Sequence, residues 1–417
     1  MAVPRVLYIV LAGGRGSRLG PLTTGRAKPA LPVGGNYRLI DMALSNAAHS
    51  GVIDVWVLEQ YEPHLLNEHL SGGRPWDLDR TRGGFRTLPP FQGQDSEGFA
   101  DGNADALAKN WPVIAASDPD VLLVCSADHL LTLDLRDVVA THLDSAADAT
   151  VVGTTMPARS DLSPFLVVQA DGGRVTSLAY KPDTPRVATS ELRCSPTGPD
   201  ALRDCLRALL REGGELGDYG ERLLPRLLDR GVVADHEHRG HWRDLGTPQS
   251  YLDGQLELLK DRPPLAMDGP DWPILTSMPL RAPAKVRRGA ELERAWLSTP
   301  ARVRRGAELE RAWLSTGADI AGCVVNSVIG PGVKVEPGAD VRHSVIMGDA
   351  VIRSGARVSR SVVSDFGVIG RRAELGADDA TEPVLVGAHR RISAGTVLSP
   401  GEHVDPTEPR DLFAATR

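Results

Sequence analysis

At 417 residues and 41% apolar content, the chain is long enough for two or three domains with sizeable cores. Its net charge of −7 gives no reason to expect a nucleic-acid or membrane-surface partner, and no apolar run reaches the roughly 18 residues of a spanning helix. The start of the chain lacks a signal-peptide pattern, and the four cysteines (Cys125, Cys194, Cys205, Cys323) form no C-x-x-C pair, so reduced thiols in a cytoplasm are expected.

The first predicted element is the apolar run 6–11, a buried strand. Past Leu11 and Ala12 it breaks into the loop Gly13-Gly14-Arg15-Gly16-Ser17-Arg18-Leu19. Glycine lets backbone N–H groups approach a phosphate closely, and arginine offers a forked donor to phosphate oxygens. A dinucleotide fingerprint starting at Gly14 needs glycine or alanine at 19, where Leu19 stands, and no Walker lysine pair follows. The loop therefore reads as a nucleoside triphosphate site of another kind. Arg26-Ala27-Lys28-Pro29 adds a second basic element. The chain has only six lysines, and two stand in Lys-Pro pairs, Lys28-Pro29 and Lys181-Pro182. In a chain that otherwise uses arginine, a retained lysine suggests a place for a compact ammonium charge.

The segment 37–46 is helix-like, with Arg38, Asp41, Ser45 and Asn46 placed to brace the loop. A strand is expected over 55–58. The polar, Gly/Arg/Pro-rich stretch 75–98 reads as a long active-site loop. Gly102–Leu107 opens a helix with Asn103 as its candidate N-cap, although amides there also suit a base or phosphate. The next strand, 121–125, ends just before Asp128-His129. Asp128 is either a turn former or a Mg²⁺ ligand.

Strands over 149–153, 165–169 and 232–235, with helices over 201–210 and 222–228, extend the alternation. The pattern predicts an α/β domain with a mostly parallel sheet, whose ligands bind beyond the carboxyl ends of the strands. His236-Glu237-His238 reads as a solvated strand end, not a metal site. Arg243-Asp244 reads in isolation as a surface ion pair; together with Asp128 it makes two carboxylates able to hold one Mg²⁺.

Residues 256–290, rich in proline and charge, are expected to be a linker. Beyond 317 apolar residues recur six apart, at Ile329, Val335 and Val341 and again at Ile346, Ile352 and Val358. Glycines accompany them at Gly330, Gly332, Gly338, Gly348 and Gly355. That period predicts a parallel β-helix over 291–400, with 401–417 as a tail. Residues 284–299 recur almost unchanged as 301–316, a tandem repeat of period 17. The second copy either forms one extra coil or loops out, or it is an assembly artefact.

The motifs LAGGRGSRL, RAKPALPVGG, YRLIDMALSN, Glu59-Gln60-Tyr61, GNADAL, Ala127-Asp128-His129, Tyr180-Lys181-Pro182, Asp218-Tyr219-Gly220 and HWRDLGT together resemble the ADP-glucose pyrophosphorylases, or glucose-1-phosphate adenylyltransferases. The resemblance runs from about residue 4 to residue 400. It implies a Rossmann-like nucleotidyltransferase domain over 1–255 followed by a left-handed β-helix. The implied reaction is ATP plus glucose 1-phosphate giving ADP-glucose and pyrophosphate, in glycogen or α-glucan synthesis. By that resemblance Gly13, Gly14, Arg15 and Gly16 hold the triphosphate beside Leu11 and Ala12, and Lys28 approaches the phosphates. Gln60 and Gly102 lie near the adenine. Asp128 and Asp244 hold Mg²⁺, and Arg15, Lys28 and Asp128 carry the catalysis. Lys181, Asp218, Tyr219 and Trp242 take the sugar phosphate. A homo-oligomer, a tetramer by family habit, is implied.

The departures from the family pattern cluster on the sugar side: Tyr180 stands for the usual Glu, Phe99-Ala100-Asp101-Gly102-Asn103 for an aromatic pair and a G-T-A-D-A turn, and Pro164-Phe165-Leu166 for A-F-G. The stretch from Val187 to Pro199 lacks the usual apolar strand, and Gly25 replaces a basic residue common before R-A-K-P, weakening any carry-over of a sugar-phosphate activator site. They keep open a transferase for another sugar 1-phosphate or nucleotide, or a catalytically weak regulatory subunit.

Overall fold

The structure is a computed structural model that describes residues 4–90, 92–93, 96–97, 99–156, 162–163, 165–181, 189–192, 194–197, 199–213, 215–278, 285–287, 290–298 and 301–407. Pro164, Pro182, Arg193, residues 187–188, residues 279–284 of the expected linker, and 408–417 of the expected tail lie outside them, as do 288–289 and 299 of the tandem repeat. The chain forms two compact units, Met1–Gly14 with Met42–Trp242, and Arg15–Asp41 with Arg243–Arg417. Among the described residues no helix is long and apolar enough to cross a membrane.

The first unit is built on one ten-stranded sheet. Its strands are β1 (Val6–Ala12), β2 (Asp54–Glu59), β3 (Gly84–Leu88), β4 (Val121–Ser126), β5 (Ala149–Thr155), β6 (Leu166–Asp171), β7 (Arg174–Tyr180), β8 (Thr189–Leu192), β9 (Cys194–Thr197) and β10 (Val233–Glu237), in the order β8-β6-β7-β10-β5-β9-β4-β1-β2-β3. The run β4-β1-β2-β3 is parallel, as is β5-β10. Strand β9 enters antiparallel between β5 and β4. In β1, Leu7, Ile9 and Leu11 enter one apolar cluster, while Tyr8 and Val10 are buried on the opposite face. Such two-sided burial gives the continuous apolar run seen in the sequence.

The helices are α1 (Ile40–His49), α2 (Pro63–Leu70), α3 (Asn103–Ala116), α4 (Leu135–Ser145), α5 (Pro199–Glu212), α6 (Leu224–Arg230) and α7 (Pro248–Glu257). Leu202, Cys205, Leu206 and Leu209 repeat at helical spacing along α5 and join Leu107 and Ile114 of α3 in the sheet's cluster. Each such leucine contributes about 1.5–3 kcal/mol.

Three expectations change here. Helix α1 starts at Ile40, because Tyr37–Arg38 pairs as a short strand with Pro32–Val33. Asn46 braces as expected, but its target is the chain after Asp128: its side chain donates to Leu131 O and accepts from Leu133 N. The stretch 75–98 is not all loop, since it supplies the edge strand β3, whose Arg86 guanidinium lies 5.0 Å over the Trp56 ring. That polar-looking strand hides its alternation because the arginine shields an indole.

In the second unit the expected β-helix is present. Parallel strands stack along its faces, as in Lys334–Val335 on Val351–Ile352 on Val368–Ile369. Ile329, Val335, Val341, Ile346, Ile352 and Val358 are all buried in its core. The curled parallel strands are consistent with the left-handed hand expected. The tandem repeat is resolved as a coil. Lys285 pairs with Arg302, Glu291 with Glu308 and Leu297 with Leu314, so the copies stack in register. Trp296 stacks on Trp313 with ring centroids 6.4 Å apart. One corner carries a ladder in which Ser344 N donates to Ser327 Oγ and Ser361 N to Ser344 Oγ.

The segment Arg15–Asp41 is tied to this β-helix. Arg26 pairs with the mostly covered Asp365, whose Oδ1 accepts from Gly348 N. Burial alone would raise the Asp365 pKa, but Arg26 and Arg38 hold it below the usual carboxylate range. Tyr251 OH and Gln255 Nε2 both donate to Pro32 O.

Because the copies stack in register, excising one period, residues 285–301, joins Ala284 to Arg302 and removes one coil. The shortened protein is expected to melt cooperatively with unchanged circular dichroism per residue; a molten baseline would contradict the stacking. A second expectation concerns three histidines of the first unit. His236 and His238 are not solvated: burial pushes both, and His142, below the ordinary value of 6.5. The unfolded chain then binds more protons than the native one as pH falls through 6.5, so stability is full above 6.5 and lost below it. Thermal melts from pH 8 to 5 should fall in that window, and His142→Gln should flatten the fall.

Candidate active site

The register β4-β1-β2 sets Leu11 beside both Ser126 and Leu58, so three strands end together. Gly13, Gln60 and Asp128 follow those ends. The chain leaves β1 at a cavity of about 320 Å³ lined by Leu11, Gly13, Gly14, Gln60, Gly102 and Asp218, among others. That volume suits part of a nucleotide. Ala12 ends β1 and pairs with Glu59.

Two glycines shape the cavity. A Cβ on Gly13 would stand 3.0 Å from Gln60 Oε1. Gly102, at φ +106, precedes α3, and a Cβ there would stand 2.3 Å from Gly217 O. The N-cap position is thus Gly102, not Asn103, which is the first helical residue. The opening amides of α3 are already used: Asn103 N donates to Asp218 Oδ1 at 3.4 Å and Ala104 N to Gly217 O at 3.1 Å. Gln60 Nε2 donates to Ala100 O at 2.6 Å, which fixes its amide at the wall.

Sequence reasoning gave no role to other wall residues, among them Glu59, Tyr61, Ala106, Lys109 and Asn110. The spacing 103, 106, 110 along α3 is the signal that could have found its wetted face. Burial pushes the Glu59 carboxyl above its usual range, against a hydrogen bond from Asn67.

In this same unit, Lys181 Nζ lies 3.8 Å from Asp218 Oδ2, and Tyr180 OH donates to that same oxygen at 2.7 Å. Lys181 N donates to Phe165 O. Trp242 packs edge-on against Phe165 and His129, and its buried indole N–H has no partner among the described residues. Tyr219 is buried in the apolar cluster and opens a single π turn. Asp128 follows β4, hydrogen-bonds Ser126 Oγ and lies 3.6 Å from His129 Nε2.

The second unit holds Arg15, Gly16, Lys28 and Asp244. Gly16 has φ +66, and a Cβ there would stand 3.1 Å from Lys28 Cβ. Lys28 is buried, with Nζ 3.3 Å from Asp244 Oδ1. The expected Arg243-Asp244 surface pair does not form: Arg243 pairs with Glu257 at 2.6 Å, and Asp244 takes Lys28. Asp128 and Asp244 offer hard carboxylate oxygens with side chains 25% and 17% exposed, a donor chemistry that fits Mg²⁺.

Residues 7–261 match the nucleotidyl transferase family model, and residues 300–397 match a GlmU-like C-terminal hexapeptide model. The chain is therefore a nucleotidyltransferase joined to a hexapeptide domain. A glucose-1-phosphate adenylyltransferase of Thermomicrobium roseum is 38% identical over 96% of this chain and 90% of its own. Those of Pseudothermotoga lettingae and Frankia casuarinae are 33% and 34% identical over 94% and 84% of this chain, and 92% and 87% of their own. The chain belongs to the glucose-1-phosphate adenylyltransferase family.

Gly102→Ala is expected to raise KM for the nucleotide about tenfold or more, since its Cβ would force the α3 start away from Gly217. Steady-state kinetics with varied nucleotide check this; an unchanged KM would separate Gly102 from binding.

Proposed function

We propose that the protein transfers the adenylyl group of ATP to glucose 1-phosphate, giving ADP-glucose and pyrophosphate. The observation that carries the reading is the cavity at the ends of β1 and β2, walled by Gly13, Gly14, Gln60 and Gly102, with Lys181 and Asp218 in the same unit. A phosphate oxygen of the sugar phosphate attacks the α-phosphorus, and the bond from that phosphorus to the bridging oxygen of pyrophosphate breaks. Gln60 and Gly102 bound the adenine. Gly13, Gly14, Arg15 and Gly16 cradle the triphosphate, with Leu11 and Ala12 beside it. Arg15 and Lys28 offset charge building on the departing pyrophosphate. Lys181 holds the acceptor phosphate, with Asp218, Tyr219 and Trp242 around the sugar. Asp128 and Asp244 are the proposed carboxylates for Mg²⁺, which when bound neutralises triphosphate charge. The chain's share is positioning and electrostatics, because phosphoryl chemistry needs little covalent help.

Residues 1–255 are proposed as the transferase domain, 256–290 as a linker, 291–400 as the β-helix and 401–417 as a tail. We also propose a cytoplasmic homo-oligomer, a tetramer by family resemblance; exposed Phe366 and Val397 on the β-helix support association. A second reading, another sugar 1-phosphate, is favoured by Tyr180 on the acceptor side.

Pyrophosphate release by purified protein with ATP, Mg²⁺ and glucose 1-phosphate tests the reading. Release should require the sugar phosphate, stop with EDTA, and fall by about 10³ or more in Asp128→Asn. Release with a different sugar phosphate alone would select the second reading, and none with any acceptor would contradict both.

A further inference from the structure

Tyr180 and Lys181 meet a carboxylate that has two tasks. Asp218 Oδ1 accepts the first amide of α3, Asn103 N, at the nucleotide cavity. Its Oδ2 accepts the Tyr180 hydroxyl at 2.7 Å, and Lys181 Nζ stands 3.8 Å from the same oxygen. That lysine distance is an ion pair but lies beyond hydrogen-bond reach. The ammonium instead lies 4.6 Å over the Tyr180 ring, with 48% of its side chain exposed. Lys181 also holds φ +45, a left-handed conformation costly for a side-chain-bearing residue. Gly220 makes room for the ring: a Cβ there would stand 2.7 Å from Tyr180 Cδ2.

We propose that Tyr180 is a positioning and specificity-determining residue: its hydroxyl occupies Asp218 so that Lys181 stays available to a dianionic phosphate monoester, the acceptor of the reaction. This rests on the function proposed above. Without the hydroxyl, Oδ2 loses that donor, and Lys181, 3.8 Å away, can close on it. A closed Lys181–Asp218 pair must then be opened by each incoming phosphate, which weakens acceptor binding. The nucleotide side keeps its contact through Oδ1.

The test is calorimetric binding of glucose 1-phosphate, alongside KM for both substrates, in wild type, Tyr180→Phe and Gly220→Ala. Tyr180→Phe should weaken glucose 1-phosphate binding and raise its KM by about five- to tenfold, with KM for ATP unchanged within about twofold. Gly220→Ala, which displaces the ring and keeps the hydroxyl, should give the same selective change and serves if the first variant folds poorly. Adding Asp218→Asn to Tyr180→Phe should cost less than on wild type. Unchanged acceptor binding in both variants, or an equal loss for both substrates, would overturn the proposal. Tyr180-dependent binding without turnover would sink the functional reading and leave the proposal standing; no binding by wild type would sink both.

Discussion

The largely covered charge at Asp365 is the constraint on which the second unit depends. A carboxylate largely removed from water on the flank of a β-helix is tolerable only with cations beside it. Arg26 and Arg38 supply them, and Gly348 N adds a donor. Removing one partner of such a cluster costs about 3–5 kcal/mol. The cluster fixes the segment Arg15–Asp41, which carries Arg15, Gly16 and Lys28, against the coil that bears Asp365. Tyr37 on Trp313, at 6.5 Å, and Asn36 with Thr316 reinforce the same attachment. The segment carrying Arg15, Gly16 and Lys28 is thus held by the hexapeptide domain.

Lys28 illustrates what that holding does. A buried ammonium is costly without a carboxylate, and Asp244 provides it at 3.3 Å. The lysine is preset in one place, and a compact charge on a fixed stem gains most where negative charge builds up on a leaving group. Around Lys181 the arrangement is looser: its side chain is half exposed and restrained by a ring and one shared carboxylate. One cation is locked in place and the other is half exposed, which agrees with the separate roles proposed for them.

Much of this was legible in the sequence. The run 6–11, the glycine loop and the six-residue period named both folds, because two-sided burial and coil stacking each leave a direct imprint on residue order. Gln60 and Gly102 were legible through family resemblance. Strand β3 was not, since Arg86 over Trp56 gives it a loop's composition. Nor was the grouping of Arg15–Asp41 with the β-helix, because it rests on a pairing between residues 26 and 365 that no local pattern announces. Tyr180 looked like a loss of the usual acid; its contact to Asp218 appears only when β7 and the start of the π turn are brought together. The tandem repeat needed the strand register to become a coil.

The reaction proposed moves the adenylyl group of ATP, with its α-phosphorus, to the sugar phosphate. The most direct measurement gives the protein ATP labelled either at the α- or at the γ-phosphorus, with Mg²⁺ and glucose 1-phosphate, and separates the products. The account predicts α-label in a nucleotide sugar and γ-label in pyrophosphate, in equal amounts. Label appearing as ADP and inorganic phosphate, or γ-label on the sugar, would contradict it.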